Sequence, residues 1–478
     1  MMAIKSIINL FSILVAFFSM SLLIPLIVSF VFNDGSSNIF ITTFLVIFIP
    51  SVVAWQLTKK SNEEMGIKEG FVIITLFWVV LSLVGSLPFY LYGMSFIDSF
   101  FESMSGITTT GATVISGLNN MPESVLFYRH LLQWMGGMGL IVLAIAVMPL
   151  LGIGGGQLYK TEIPGALSDQ KLTPRIKETA QALWLIYLGL TIVCALFYFA
   201  FGMSAFDAIS HSLSTVSIGG FSTHDESIGY FNSISIEIIC MVFMLLSALS
   251  YALHYFAVYK KKPLKYFHDS ELRFFISIVS IVFGLSLLLS IIVGYDGASF
   301  REILFQSVSI VTTTGFVTTD YSSWPTSITF LLLIGAFIGA CSGSVGGGIK
   351  SWRVLIMINH AKINIMRLVH PNAVVSLKIG SKAVDDKVAE SVWGFFSIYV
   401  ICFMLLLLSL LATGMDFESS FSAIGACLNN LGPGLGQVAE TYGSVSDVGK
   451  SILALAMILG RLEIFTLLVL FTTVFWQK

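Results

Sequence analysis

The stretch DSFFESMSGITTTGAT, residues 98–113, opens like a helix and closes on three threonines and a glycine. Three further stretches follow the same plan: DAISHSLSTVSIGGF at 207–221, FREILFQSVSIVTTTGF at 300–316 and DFESSFSAIGACLNNLGPG at 416–434. Each starts semi-polar, and Asp98, Asp207 and Asp416 suit a helix N-cap. Each is too short to cross a bilayer, which takes about 20 residues as a helix. Such a segment dips into the membrane and returns, and irregular backbone at that depth survives only where protein buries it or water lines it.

The residue types suit a cation. Oxygen dipoles must replace the hydration shell that the ion gives up. Glycine permits backbone angles that aim neighbouring carbonyls the same way, and Thr and Ser add hydroxyls without bulk. The candidate pore-lining residues are Thr108, Thr109, Thr110 and Gly111; Val216, Ser217, Ile218 and Gly219; Thr312, Thr313, Thr314 and Gly315; and Asn429, Asn430, Leu431 and Gly432. An even number of crossings separates the four glycines, so all four segments face the same way. That disfavours inverted-repeat transporters, whose halves face opposite ways.

Outward from these stretches the chain is apolar. Of 478 residues, 56% are hydrophobic and 11% charged, with a mean hydropathy of +0.90; soluble domains carry about 25% charged residues. A net charge of −2 points neither to nucleic acid nor to acidic substrates. Cys194, Cys240, Cys341, Cys402 and Cys427 lie in apolar or small-residue surroundings, with no metal or disulfide spacing among them. The first apolar run, Ile8 to Phe32, is too long for a signal-peptide core and reads as a retained span. Ten spans are expected, near 8–31, 38–57, 70–92, 130–151, 180–201, 233–258, 273–294, 325–345, 391–413 and 451–475.

Cations orient them. Lys5, Lys59, Lys60, Lys68, Lys160, Lys171, Arg175, Lys177, the Lys260–Lys262 run, Lys350 and Arg353 fall on one side, placing both termini in the cytoplasm. Asp34, Glu123, Asp225, Glu226, Asp320, Glu440 and Asp447 fall on the other. The expected fold is an all-α polytopic membrane protein with four helix–pore loop–helix repeats around a central pore. Its parts are an N-terminal hairpin (1–68) and repeats at 69–160, 161–265, 266–386 and 387–478. The largest cytoplasmic loop, near Ser351 to Glu390, is expected to hold a short interfacial helix and no folded domain.

This plan resembles the Trk/Ktr/HKT superfamily of potassium transporters, and within it the TrkH-type subunits of bacterial uptake systems. The most specific stretches are FFES at 100–103 with TTTGAT at 108–113, IGGFSTH at 218–224, GGGIK at 346–350, NNLGPG at 429–434 and GRLEIF at 460–465. The resemblance implies that K⁺ is the transported ion and that glycine in all four segments selects it. It implies ligands among Thr109, Thr110, Ser217, Ile218, Thr313, Thr314, Asn430 and Leu431. It further implies a homodimer in the cell inner membrane and a cytosolic nucleotide-binding ring, TrkA-like, as regulatory partner. No nucleotide site is expected on this chain. The second and fourth segments lack Thr-Thr before the glycine, so the ring is fourfold only approximately.

Two features sit where a gate belongs. GACSGSVGGG at 339–348 interrupts span eight with helix-poor residues; it reads either as a break or as close packing of small residues. The resemblance favours an intramembrane gating loop carrying Gly346, Gly347, Gly348 and Lys350. Lys350 is read as pairing with an acid or as a cytoplasmic anchor. Arg461 stands mid-way along the last span, where a charge costs at least ~2.5–3.5 kcal/mol, so it is expected to face water or a carboxylate in the pore. Glu463, two residues on, is assigned to another helical face. GIGGG at 152–156 has no preceding strand and reads as a loop rather than a dinucleotide site. His211 reads as a packed helix residue. No nucleophile–base constellation is present, so no enzyme is expected. The leading function is a gated, channel-like K⁺ permease; the alternative is a Na⁺- or H⁺-coupled K⁺ symporter.

Overall fold

The computed structural model describes residues 4–59, 66–147, 176–373, 375–380 and 382–477. The GIGGG stretch at 152–156, Lys60, Lys160, Lys171 and Arg175 lie outside them. Nearly all regular structure is helical. Among the described residues the one addition is an antiparallel pair of two-residue strands, Lys378–Ile379 and Lys382–Ala383. These follow a helix of 19 residues, Ser351–Val369, where the sequence suggested a short one.

Among the described residues, six helices are long and apolar enough to cross a membrane, or eight if two bent pairs are each one span. Large apolar side chains such as Phe17, Val31, Leu57 and Ile291 face outward on them. Lipid accepts such a surface; water does not. The two remaining expected spans differ from the apolar rods. Glu123–Val147 carries Arg129, His130 and Gln133 buried within its length. Thr326–Ile338 stops after 13 residues.

The N-terminal helices Ile4–Ser21 and Leu23–Phe32 return as Ser37–Thr58 through a turn in which Asn33 takes a left-handed conformation. Asp34 fastens this hairpin to the remainder. Its carboxylate accepts the N–H of Ser36 and the N–H of Ser124, each at 2.9 Å. The second contact sets a negative charge at the start of Glu123–Val147, where the helix dipole favours it.

Four helices of 12 residues lie inside the outer shell: Phe96–Ile107, Ala205–Val216, Phe300–Val311 and Phe417–Leu428. At 1.5 Å per residue each is about 18 Å long, against roughly 30 Å of hydrocarbon. These short helices enter the membrane and stop. Two hydrophobic clusters surround them, one around the second and third and one joining the first and fourth with the N-terminal hairpin.

Candidate functional site

Each short helix begins with a side-chain cap, three residues before the acid the sequence suggested in two cases. Ser95 accepts from the N–H of Asp98, and Ser204 from that of Asp207. Ser299 and Glu302 form a reciprocal capping box, and Asp416 accepts from the N–H of Ser419. Asp416 is therefore a cap as expected, whereas Asp98 and Asp207 sit in the first turn.

Each helix ends the same way. Thr109, Ile218, Thr313 and Asn430 have positive φ of 55°, 54°, 63° and 52°, and two residues later Gly111, Gly220, Gly315 and Gly432 have φ of 85°, 77°, 84° and 99°. Alternating left- and right-handed residues turn successive carbonyls toward one side of a strand. The preceding N–H groups close the helix identically: Thr110, Gly219, Thr314 and Leu431 each donate to the carbonyl five residues back, at 2.8–2.9 Å.

This geometry corrects the reading of the second segment by one residue. Val216 is the last residue of its helix, and the equivalent of Gly111 is Gly220 rather than Gly219. The equivalent quartet is Ser217, Ile218, Gly219 and Gly220. The signal was in the spacing: Ser95 to Gly111, Ser204 to Gly220, Ser299 to Gly315 and Asp416 to Gly432 are each sixteen positions. Asp98 to Gly111 and Asp207 to Gly220 are likewise both thirteen positions, against twelve from Asp207 to Gly219.

The four strands close a ring in chain order. A Cβ added to Gly111 would stand 2.2 Å from the Gly219 carbonyl oxygen, one on Gly220 2.1 Å from that of Thr314, and one on Gly315 2.1 Å from that of Leu431. One on Gly432 would stand 2.7 Å from the Thr110 carbonyl oxygen, which returns to the first strand. Thr108 and Thr110 share a hydroxyl contact of 2.7 Å, as do Thr312 and Thr314. In the fourth strand Asn430 donates its amide to the Thr110 hydroxyl at 3.0 Å, crossing the seam between last and first.

Several supports behind the ring had no place in the sequence reading. Gln133, fully buried, donates to the Gly219 carbonyl at 2.6 Å and accepts the Phe221 N–H at 3.1 Å. Arg129 pairs with Glu102 at 2.8 Å, both buried, and donates to the Ser222 carbonyl at 3.1 Å. Tyr399 donates to the Asn429 side-chain oxygen and Tyr442 to the Gly432 carbonyl, each at 2.8 Å. Polar residues at 129, 130 and 133 inside an otherwise apolar span were the available signal. His211 is packed as expected, with Nδ1 on the Asp207 carbonyl and Nε2 on Ser222, each at 2.9 Å.

Beyond the glycines the strands open into a cavity of about 480 Å³ whose lining includes Asp225, Glu226, Asp320 and Glu440. Acids around such a mouth raise the local concentration of cations.

At the other end of the ring, span eight is broken. Its helix ends at Gly339 (φ 72°), and the chain runs irregularly to Lys350 (φ 82°) before Ser351–Val369 begins. This loop touches the ring directly. The Gly347 N–H donates to the Thr313 hydroxyl at 2.7 Å, and the Gly348 N–H to the Asn429 carbonyl at 3.2 Å. A Cβ on Gly347 would lie 1.9 Å from that carbonyl oxygen, and one on Gly346 3.0 Å from the Thr312 carbonyl oxygen.

Two other expected spans, 233–258 and 451–475, also break. Ile234–Ala248 and Tyr251–Val258 meet at 97°, and Asp447–Arg461 and Phe465–Phe471 at 106°. Both breaks hold the loop. The Cys341 N–H donates to the Ala248 carbonyl and the Tyr251 N–H to the Gly343 carbonyl, each at 3.0 Å. Arg461 donates to the Val345 carbonyl at 2.9 Å and to the Gly136 carbonyl at 3.0 Å. Its partners are thus peptide oxygens rather than the carboxylate that was one of the two expectations. Glu463 pairs with Arg353. Among the described residues Lys350 pairs with no acid; its ammonium donates to the Gly346 carbonyl of its own loop.

The comparisons with known proteins agree with this architecture. The TrkH family profile, described as a cation transport protein, matches residues 35–478. The Trk system potassium uptake protein TrkH of Vibrio parahaemolyticus is 49% identical over 487 aligned positions, covering 100% of both chains. The protein of the same name from Escherichia coli is 47% identical, covering 99% of each. A crystal structure of the potassium transporter TrkH from Vibrio parahaemolyticus superposes with a TM-score of 0.90 at 47% identity, over 99% of this chain and 100% of that one.

Proposed function

The chain belongs to the TrkH family of cation transport proteins, and from that premise we propose that it is a gated potassium permease whose pore is the ring of four strands. What supports this reading above all is that ring: four segments, alternating in handedness at matched positions, closed in chain order. Carbonyls and hydroxyls at Thr109, Thr110, Ser217, Ile218, Thr313, Thr314, Asn430 and Leu431 replace the hydration shell, with Gly219 joining them in the shifted second strand. Gly111, Gly220, Gly315 and Gly432 set the strand geometry. The acidic cavity is the outer vestibule and faces away from the cytoplasm.

The loop 339–350 is the gate. Gly346, Gly347 and Gly348 let its backbone approach the ring, while Arg461 and Lys350 hold its carbonyls. Entry is driven by the membrane potential, about 2.3 kcal/mol per charge per 100 mV. The protein sits in the cell inner membrane with both termini cytoplasmic, as an N-terminal hairpin (1–68) and repeats at 69–160, 161–265, 266–386 and 387–478. It works as a homodimer with a cytosolic nucleotide-binding ring, TrkA-like, that moves the loop through the basic cytoplasmic segments. The printed names of its relatives, Trk system potassium uptake proteins, support the ion and the existence of other system components.

Ion flux through the purified chain in liposomes tests this. K⁺ and Rb⁺ are expected to pass, with Na⁺ and Li⁺ lagging; equal flux of all four ions would overturn the selective ring. K⁺ flux that stops when sodium and proton gradients are clamped would replace the permease with a coupled symporter.

A further inference from the structure

The oxygens that the loop occupies are the oxygens a cation needs. The inner end of the ring is formed by Thr108, Ser217, Thr312 and Asn429, the residues that close each short helix. The loop donates into this end, through the Gly347 N–H to Thr313 Oγ1 and the Gly348 N–H to the Asn429 carbonyl. It is pressed close there, as the 1.9 Å approach of a Gly347 Cβ to the Asn429 oxygen shows. Ile218 Cδ1 and the Thr312 carbonyl flank Gly346 on the neighbouring sides.

The seated loop is also polarised. Its N–H groups aim their positive ends at the ring, and the guanidinium of Arg461 and the ammonium of Lys350 bind its carbonyls from behind. A cation in the innermost position therefore faces peptide dipoles and fixed charges of its own sign, and competes with N–H donors for the same lone pairs. The energy that resists the ion also resists the loop, because coupling between two binding events is reciprocal.

We propose that the inner oxygens of the ring are a shared site, so that a permeant cation bound there and a seated loop exclude one another. The transported ion is then itself an opening ligand: its occupancy shifts the loop toward release, in addition to any regulatory partner. This rests on the reading of loop 339–350 as the gate.

Cys341 supplies a probe. It lies in the loop, is almost wholly buried, and is held through its N–H on Ala248. The experiment uses the full chain in nanodiscs with the other four cysteines replaced by serine or alanine, and follows modification of Cys341 by a methanethiosulfonate reagent. Raising K⁺ at constant ionic strength, balanced by N-methyl-D-glucamine, is expected to speed modification about fivefold or more, the lower end of ordinary coupling. Thr313→Val, which removes the acceptor for Gly347, is expected to be fast even without K⁺, and Thr313→Ser to restore the slow rate. Gly347→Ala, whose loop has no room to seat, sets the fully released rate. If Gly347→Ala is fast and the parent chain ignores K⁺, the shared site is overturned while the gate stands. If Gly347→Ala is as slow as the parent, the gate fails and the proposal with it.

Discussion

The ring and the region beneath it are built from the same four repeats, yet one keeps their symmetry and the other discards it. Above, four helices of equal length end on four glycines at equal spacing. Below, the helix after the first strand runs through 25 residues unbroken, while the other three break in three different ways: a 97° bend, a loop from Gly339 to Lys350, and a 106° bend. An ion must be surrounded evenly, so every repeat is held to one geometry where it meets the axis. A gate, as proposed for the loop, needs one moving part and fixed surroundings, which would leave each repeat below the ring free to do something else. The two bent helices supply the backbone groups and the Arg461 side chain that hold the loop.

The sharpest way to break the comparison lies in the ring. Gly220→Ala and Gly315→Ala each force a methyl group within 2.1 Å of a neighbouring carbonyl oxygen, on top of a left-handed cost of roughly 1–2 kcal/mol. K⁺ flux in liposomes is expected to fall to background for both. Gly219→Ala instead meets the side chain of Gln133 and is expected to keep measurable flux; if Gly219→Ala is the more damaging, the shifted register is wrong. Next in size, Arg129→Met leaves Glu102 buried without its partner, a loss of about 3–5 kcal/mol, visible as a lower thermal unfolding midpoint in detergent. A midpoint within the error of the parent's would remove this pair from the ring's support.

Below the ring the effects should change sign. Gly347→Ala prevents the loop from seating and is expected to raise K⁺ flux about tenfold in the absence of any partner, equivalent to roughly 1.4 kcal/mol. Reduced flux would mean the loop is a wall and not a gate. The smallest effect is assigned to Arg301, 39% exposed and 3.0 Å from Glu237. Glu237 is itself only 5% exposed, but water reaches the guanidinium side, so Arg301→Met should cost less than Arg129→Met, and an equal loss would show that the outer rim is as demanding as the ring.

The contrast also explains what the sequence revealed. The ring was legible because its demands are local: a cap, twelve residues, and a glycine that must turn left. The second strand slipped by one because Gly219 and Gly220 are chemically alike, and only the distance from the helix start, at Ser204 and Asp207, separates them. At span eight the glycines left a break and close packing equally open, and the resemblance favoured the break that the structure shows. The bends after Ala248 and Arg461 were hidden because Leu249, Ser250, Leu462 and Ile464 carry no breaker signal. Their bends are held by tertiary partners, and Glu463 and Ile464 accept left-handed φ of 54° and 58° within that packing. Arg461 was marked as costly in lipid, and its partners are peptide oxygens of Val345 and Gly136, which no pattern of side chains announces.

The seam between the last repeat and the first has a consequence for how such a protein is made. Gly432 against Thr110, Asn430 on the Thr110 hydroxyl, the Tyr442 N–H on the Thr113 carbonyl at 2.8 Å, and Lys450 paired with Asp98 at 2.6 Å all join residues more than 300 positions apart. A nascent chain can insert its first three repeats into the membrane long before these partners emerge. Until then one side of the conduit is missing and no closed ring of oxygens exists. If the ring is the pore, as proposed, the cell is thereby spared a half-built leak for potassium, because conduction and completion of synthesis arrive together.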